Sequence, residues 1–206
     1  MPENGKKEVI SYPVITISRE YGALGRTLAS ALSDRLGIPY YDKDFVKKTA
    51  QESGYEMEEV ERESEDMSTS ERMLNTFLNS AVSYNSSIDA IFRAQKKVIL
   101  ELAKSPCIIV GRCADHILRE AGADPLCIYL YASVDARMKR AKELDAPQGQ
   151  NLAKYIEKRD KQRKTYYKQY TGCDMGQASN YTICFDTGRI SIPTCTDIVM
   201  QLLEQK

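Results

Sequence analysis

Short apolar runs alternate with amphipathic helical segments along this chain, which places it in the α/β class. The expected architecture is a mainly parallel sheet of five strands, covered on both faces by helices. Three observations carry that expectation. The runs VITI, IPYY, CIIV, LCIYLY and YTICF are apolar or nearly so, as strands buried on both faces require. Between them, apolar residues recur at helical spacing. Glycine or a charged residue follows most runs (Arg19, Asp42, Gly111, Asp186), at the strand ends where open α/β sheets bind ligands.

The totals narrow the function classes. A chain of 206 residues with 42% hydrophobic content suits one domain with insertions and a real core. Its 29 basic and 29 acidic residues cancel, so charge gives no reason to expect a nucleic-acid or membrane partner. No run approaches the ~18 apolar residues of a membrane span, and MPENGKKEVISYP lacks the apolar centre of a signal peptide. A cytoplasmic protein is expected. Cys107, Cys113, Cys127, Cys173, Cys184 and Cys195 show no Cys-x-x-Cys spacing and read as free, reduced, mostly buried thiols. His116 is the only histidine, which excludes an imidazole metal cluster.

The first element is a β-branched strand at 14–17, followed by a turn punctuated by Gly22 and Gly25. Arg26 and Thr27 then open a helix with Leu28, Ala29, Leu32 and Leu36 on one face. Strand, glycine turn and helix start together aim backbone N–H groups at an anion. Gly25-Arg26-Thr27 fills the last three places of Gly-x-x-x-x-Gly-Lys-Ser/Thr, with Arg for Lys and Glu20 where the first Gly belongs. Two other readings stay open at this point. One is a dinucleotide fingerprint with Asp42 as its acidic residue; the other is a plain turn with a solvated Arg26.

Gly37 stops the helix, and a second strand at 38–41 ends at Asp42, a ligand-edge carboxylate or a cap for a helix over 45–50. Residues 43–104 carry no strand signal. Gly54 ends that helix, 56–71 is acidic, and Ser70 caps a helix bearing Leu74, Phe77, Leu78, Ala81 and Val82. Another begins near Ile88, with Ile91, Phe92, Gln95, Ile99 and Leu102 on one face. So long a helical insertion argues against a dinucleotide-binding half, whose third strand would come sooner.

The third strand is 107–110. Gly111-Arg112 sits at its tip, where Arg112 suits a bidentate anion contact or an internal salt bridge. A helix over 113–120 holds His116 in an ordinary helical place. Strand 126–131 leads into a basic helix over 134–144, and 146–150 is a hinge. The helix over 151–170 groups Arg159, Asp160, Lys161, Arg163 and Lys164, either as a solvated face of i,i+4 pairs or, with Arg140, as a cationic lid. Tyr166, Tyr167 and Tyr170 form a packing face. The fifth strand is 181–185, and a last amphipathic helix runs over 193–204.

In order, ITISREYGALGR, IPYYDKD, CIIVGRCADHIL, LYASVDARMKR, RDKQRKTYYKQYTG and NYTICFDT resemble the cytidylate kinase-like family, a branch of the P-loop nucleoside monophosphate kinases. The resemblance runs from Val14 to about Leu203. It implies one three-layer P-loop kinase domain over 1–206, a helical NMP-binding insertion over 43–104 and a lid over 145–172. It implies ATP and Mg²⁺, nucleotide substrates, and transfer of the γ-phosphate to a nucleoside monophosphate, with CMP or dCMP favoured. By resemblance Arg19, Gly22, Gly25, Arg26 and Thr27 bind the donor, with Thr27 on the metal. Asp42, Arg112 and Asp160 bind substrate, while Arg26, Arg140, Arg159 and Arg163 act on the transferred group. The departures are Arg26 for lysine, the missing first glycine, and a short spacing to Arg163. A nucleotide-binding regulatory module without transfer, or a kinase for another small molecule, also fits these residues.

Overall fold

The computed structural model describes residues 14–42, 49, 54, 87–111, 113–141 and 151–204. The apolar runs become β1 (Ile15–Arg19), β2 (Tyr40–Tyr41), β3 (Ile108–Val110), β4 (Leu126–Tyr131) and β5 (Ile183–Asp186). They form one parallel sheet in the order β2-β3-β1-β4-β5. The helices are α1 (Gly25–Leu36), α2 (Ser87–Leu102), α3 (Ala114–Glu120), α4 (Val134–Ala141), α5 (Leu152–Thr171) and α6 (Ile192–Glu204).

Two strands, β2 and β5, start two residues later than their apolar runs. Pro39 has no N–H for a ladder, so β2 keeps only two residues, and the Pro39 carbonyl instead accepts the Ile108 N–H at 2.9 Å. The Tyr181 N–H closes a 3₁₀ turn on the Ala178 carbonyl at 3.1 Å, which delays β5 to Ile183. The arm over 1–12, the helix expected after Ser70, the acidic segment 56–71 and the hinge 146–150 lie outside the described residues, as do 142–144 of the basic helix and all of the helix expected over 45–50 but Thr49, which is helical. Of the expected insertion, the described part is Thr49, Gly54 and 87–104.

Strand periodicity gives the sheet two unlike faces. Ile15, Ile17, Ile108, Val110, Leu126, Ile128, Leu130 and Phe185 pack on Leu28 and Leu32 of α1 and Cys195 and Val199 of α6, an aliphatic layer. The other face carries Thr16, Ser18, Cys127 and Tyr129, all buried. Above it α5 docks by its tyrosines, as the packing-face reading expects. Tyr166 donates to Gln95 Oε1 (2.8 Å) on α2, and Tyr167 to Asp115 Oδ2 (2.7 Å) on α3. Tyr170 donates to Asp89 (3.0 Å) and stacks on Phe92 with ring centroids 3.9 Å apart. Each hydroxyl thus finds a partner, as buried polar groups must. All six cysteines are free, and four of them are buried.

Asp115 is 1% exposed. Desolvation raises its pKa above the ordinary 3.8, against the lowering effect of the Tyr167 hydrogen bond. A raised carboxyl pKa gives stability that is present in acid and lost as pH rises, because the folded state binds the extra proton. Asp115→Asn should therefore gain stability over the wild type progressively as pH climbs from about 4 toward neutrality. Urea unfolding of both proteins across that range checks it; a constant difference would sink the idea.

Candidate functional site

The β1–α1 connection presents backbone amides at the start of a helix. Glu20, one residue past β1, stays tied to the sheet by its N–H, which donates to the Leu130 carbonyl at 3.0 Å. Gly22 (φ 77) and Leu24 (φ 62) then both take the left-handed conformation, free to glycine but strained for leucine. Leu24 caps α1 without a side-chain hydrogen bond, and the first helical bond runs from the Leu28 N–H to the Leu24 carbonyl. The amides of Gly25, Arg26 and Thr27 therefore have no acceptor within the helix. Gly25 is buried, while Arg26 and Thr27 are exposed.

The strand tips beside this turn are joined by one side chain. Arg19 leaves β1 under the start of α1, so close that a Cβ at Gly25 would lie 3.1 Å from its Cγ. It then crosses the tip of β3, where a Cβ at Gly111 would stand 1.9 Å from Arg19 Nη1. It ends 3.5 Å from Asp42 at the tip of β2. One arginine thus spans three neighbouring strands, and the left-handed backbone at Gly111 (φ 82) favours glycine where the guanidinium passes. Asp42 also takes a hydrogen bond from Arg26 Nε. The Arg26 side chain is 61% exposed and that of Asp42 only 9%.

Behind the turn lies a second ionic group that the sequence reading missed. Arg137 of α4 is 5% exposed. Its Nε donates to the Ala132 carbonyl (3.0 Å) and lies 3.5 Å from Glu20, and its Nη1 donates to the Tyr21 carbonyl (3.2 Å) and to Asp160. Asp160 of α5 also accepts the Tyr21 N–H at 2.7 Å. Both Asp160 oxygens are thus engaged by the protein, which turns this expected substrate ligand inward. Arg140 donates to the carbonyls of Gly22 (3.4 Å) and Thr187 (2.5 Å) and to the Thr187 hydroxyl (3.1 Å).

Two more arginines of α5 reach the same turn. Arg163 lies over the Tyr21 ring (5.6 Å) and donates to the Arg19 carbonyl (3.5 Å), and Arg159 lies over Tyr155, whose ring packs edge-on against Tyr21. Burial and the neighbouring Arg163 charge lower the Arg159 pKa. Like charges held side by side favour an anion between or beside them.

The structure thus brings Arg19, Gly22, Gly25, Arg26, Thr27, Asp42, Arg140, Arg159, Asp160 and Arg163 around one turn. Arg112 lies outside the described residues. A cavity of about 610 Å³, lined by Glu20, Val134, Arg137, Asp160, Lys161 and Lys164 among others, borders the support of the turn. Among the described residues no group of three or more His, Cys, Asp or Glu could hold a metal ion, and no helix is long and apolar enough to cross a membrane.

A family model, described as the cytidylate kinase-like family, matches residues 14–189. No curated protein matches. The chain is similar to the crystal structure of an uncharacterized protein from Eubacterium ventriosum, at TM-score 0.69 and 23% identity over 94% of this chain and 99% of that one. It also resembles shikimate kinase from Bacteroides thetaiotaomicron, at TM-score 0.54 and 16% identity over 93% and 98% of the two chains. The Bacillus subtilis YorR protein in complex with phosphorylated GDP matches at TM-score 0.51 and 13% identity, over 93% and 95%. These likenesses establish the fold: an α/β, P-loop kinase architecture.

Gly111→Ala should destabilise the fold by roughly 1–3 kcal/mol, from left-handed backbone strain plus eviction of Arg19. In an Arg19→Ala background the steric part vanishes, so the same substitution should cost less. Urea unfolding of the four proteins of this cycle gives the answer, and an equal cost in both backgrounds would separate Gly111 from Arg19.

Proposed function

The chain belongs to the cytidylate kinase-like family, and from that premise we propose a cytoplasmic kinase-like phosphotransferase that moves the γ-phosphate of ATP to a nucleoside monophosphate, CMP or dCMP being the favoured acceptor. One observation carries the reading most. An uncapped helix start follows a left-handed turn and lies beside two guanidinium groups that share one carboxylate.

Transfer between nucleotides asks a protein for in-line positioning and positive charge rather than covalent chemistry. In this reading the amides of the turn and of Gly25, Arg26 and Thr27 hold donor phosphates against the positive end of α1. Arg26, on the first helical turn, neutralises the outer phosphate oxygens in the place of the usual lysine. Arg19 keeps Asp42 in position and adds charge from below. Asp42 and Arg112 orient the acceptor, while Arg140, Arg159 and Arg163 surround the donor. Mg²⁺ fits the exposed Thr27 hydroxyl, since this ion takes one or two protein oxygens plus phosphate and water, and when bound it supplies charge neutralisation at the phosphates.

A second reading, nucleotide binding without transfer, draws on the ion pair between Arg26 and Asp42, which holds the cation on a protein carboxylate. A third, transfer to another small molecule, draws on the fold shared with a shikimate kinase. ADP release from MgATP with CMP, dCMP, UMP, AMP, GMP, shikimate or no acceptor tells them apart. Release should depend on CMP or dCMP and fall by roughly 10²-fold in Arg26→Ala, the loss expected for one transition-state charge contact. Release that ignores CMP and dCMP would overturn the favoured acceptor, and near-normal turnover of Arg26→Ala would remove Arg26 from the mechanism.

A further inference from the structure

We infer that Arg137 and Asp160 are positioning residues: together they clamp the peptide of Tyr21, set the shape of the turn over 20–24, and tie that turn to α5. The inference rests on the proposed donor site, because it assigns the turn's support rather than its ligand.

The geometry is that of a two-sided grip. Asp160 accepts the Tyr21 N–H at 2.7 Å, Arg137 donates to the Tyr21 carbonyl at 3.2 Å, and the two side chains bond each other. Both polar groups of a single residue's backbone are therefore held by one ion pair. The next residue is held as well. A Cβ at Gly22 would lie 3.3 Å from Arg137 Cβ and 3.4 Å from its carbonyl oxygen, so the turn rests directly on α4. Both clamp residues are buried, at 5% and 8% exposure, so neither is a solvated surface charge.

A phosphate-binding turn rich in glycine takes its shape from its own backbone freedom. This turn has Glu20 in the first glycine's place, yet that side chain is not idle. Glu20 Oε2 accepts the Ala132 N–H at 3.3 Å and lies 3.5 Å from Arg137 Nε, joining the same group. Side chains of α4 and α5 thus do for this turn what glycines do elsewhere. The consequence is coupling. Asp160 lies on the same helix as Arg159 and Arg163, so a donor that orders the turn also orders the helix carrying those arginines, and the reverse holds by linkage.

The test compares wild type with Asp160→Asn, Arg137→Gln and the double variant, which removes both charges and leaves amides that can still hydrogen-bond. Backbone hydrogen exchange of the ligand-free proteins reads the clamp itself. Calorimetric titration with MgATP reads its effect on the donor site. We expect faster exchange over 20–25 in every variant, and MgATP affinity reduced by ~10- to 10²-fold, in the range that displaced catalytic groups lose. The double variant should be no worse than the worse single one, because the residues act as a unit. MgATP should slow exchange in the first half of α5 in the wild type and not in the variants, a readout that lost packing would not produce. If single variants fail to fold, the double variant gives the same readings. Unchanged exchange over 20–25 in folded variants overturns the clamp, and so does MgATP affinity within two-fold of wild type. Faster exchange in the variants, with a wild type that binds no MgATP, upholds the clamp on the turn and sinks the donor reading instead.

Discussion

The Tyr21 peptide sits between a carboxylate from one helix and a guanidinium from another, and the ligand edge of this molecule is arranged around that contact. An ion pair taken out of water loses hydration that Coulomb attraction alone does not restore. Here both partners also bond to backbone: Arg137 donates to the Ala132 and Tyr21 carbonyls, and Asp160 accepts the Tyr21 N–H. Added hydrogen bonds of this kind are what makes a buried pair tolerable. They also explain why the pair specifies a shape. Removing one partner leaves the other charged and buried, at a cost of about 3–5 kcal/mol, so the turn has little freedom to adopt another course.

The parallel sheet dictates what stands in front of that turn. When all strands run one way, their C-terminal tips share one edge, and residues far apart in the chain become neighbours there. β1, β3 and β2 lie side by side, so Arg19 can reach Asp42 only by passing over β3. The passage leaves no room for a side chain at Gly111. Among the described residues, two guanidinium groups meet one carboxylate at this edge, beside the positive end of α1.

Much of this was legible in the sequence, and for local reasons. LCIYLY is a fully apolar run with nothing to interrupt it, and β4 occupies the expected 126–131. The face of α2 and the tyrosine face of α5 follow from spacing, because a helix face depends only on its own residues. Free thiols followed from the absence of paired spacing. What escaped was long-range. Arg137 lies in a helix that reads only as basic, with Lys139 and Arg140; its burial comes from contacts outside the helix, with Tyr21 and with Asp160, 23 residues away. Glu20 read as the loss of a glycine, whereas its carboxylate meets Ala132, 112 residues further on. Asp160 read as one of several charges open to substrate. Nothing in sequence spacing distinguishes a carboxylate that faces a ligand from one that faces a backbone amide.

The two arginines on Asp42 differ in a way that bears on how the site works. Arg26 is mostly exposed, and an ion pair of that kind is worth about 0–1 kcal/mol, so moving its head away from Asp42 costs little. Arg19 is only 17% exposed and is threaded between Gly25 and Gly111, so it cannot follow. In the proposed donor site an arriving phosphate would compete for Arg26 with charge-assisted bonds, the uncapped amides of α1 and the helix dipole together. Asp42 meanwhile keeps Arg19 and is not left as an unpaired buried charge. The cation that must move is thus the exposed one, and those that must stay are fixed by neighbouring backbone. An arginine in the lysine's place, bulkier and unable to sit as a point charge, suits this arrangement, because its fork can pass from a carboxylate to a phosphate without changing the chemistry of the contact.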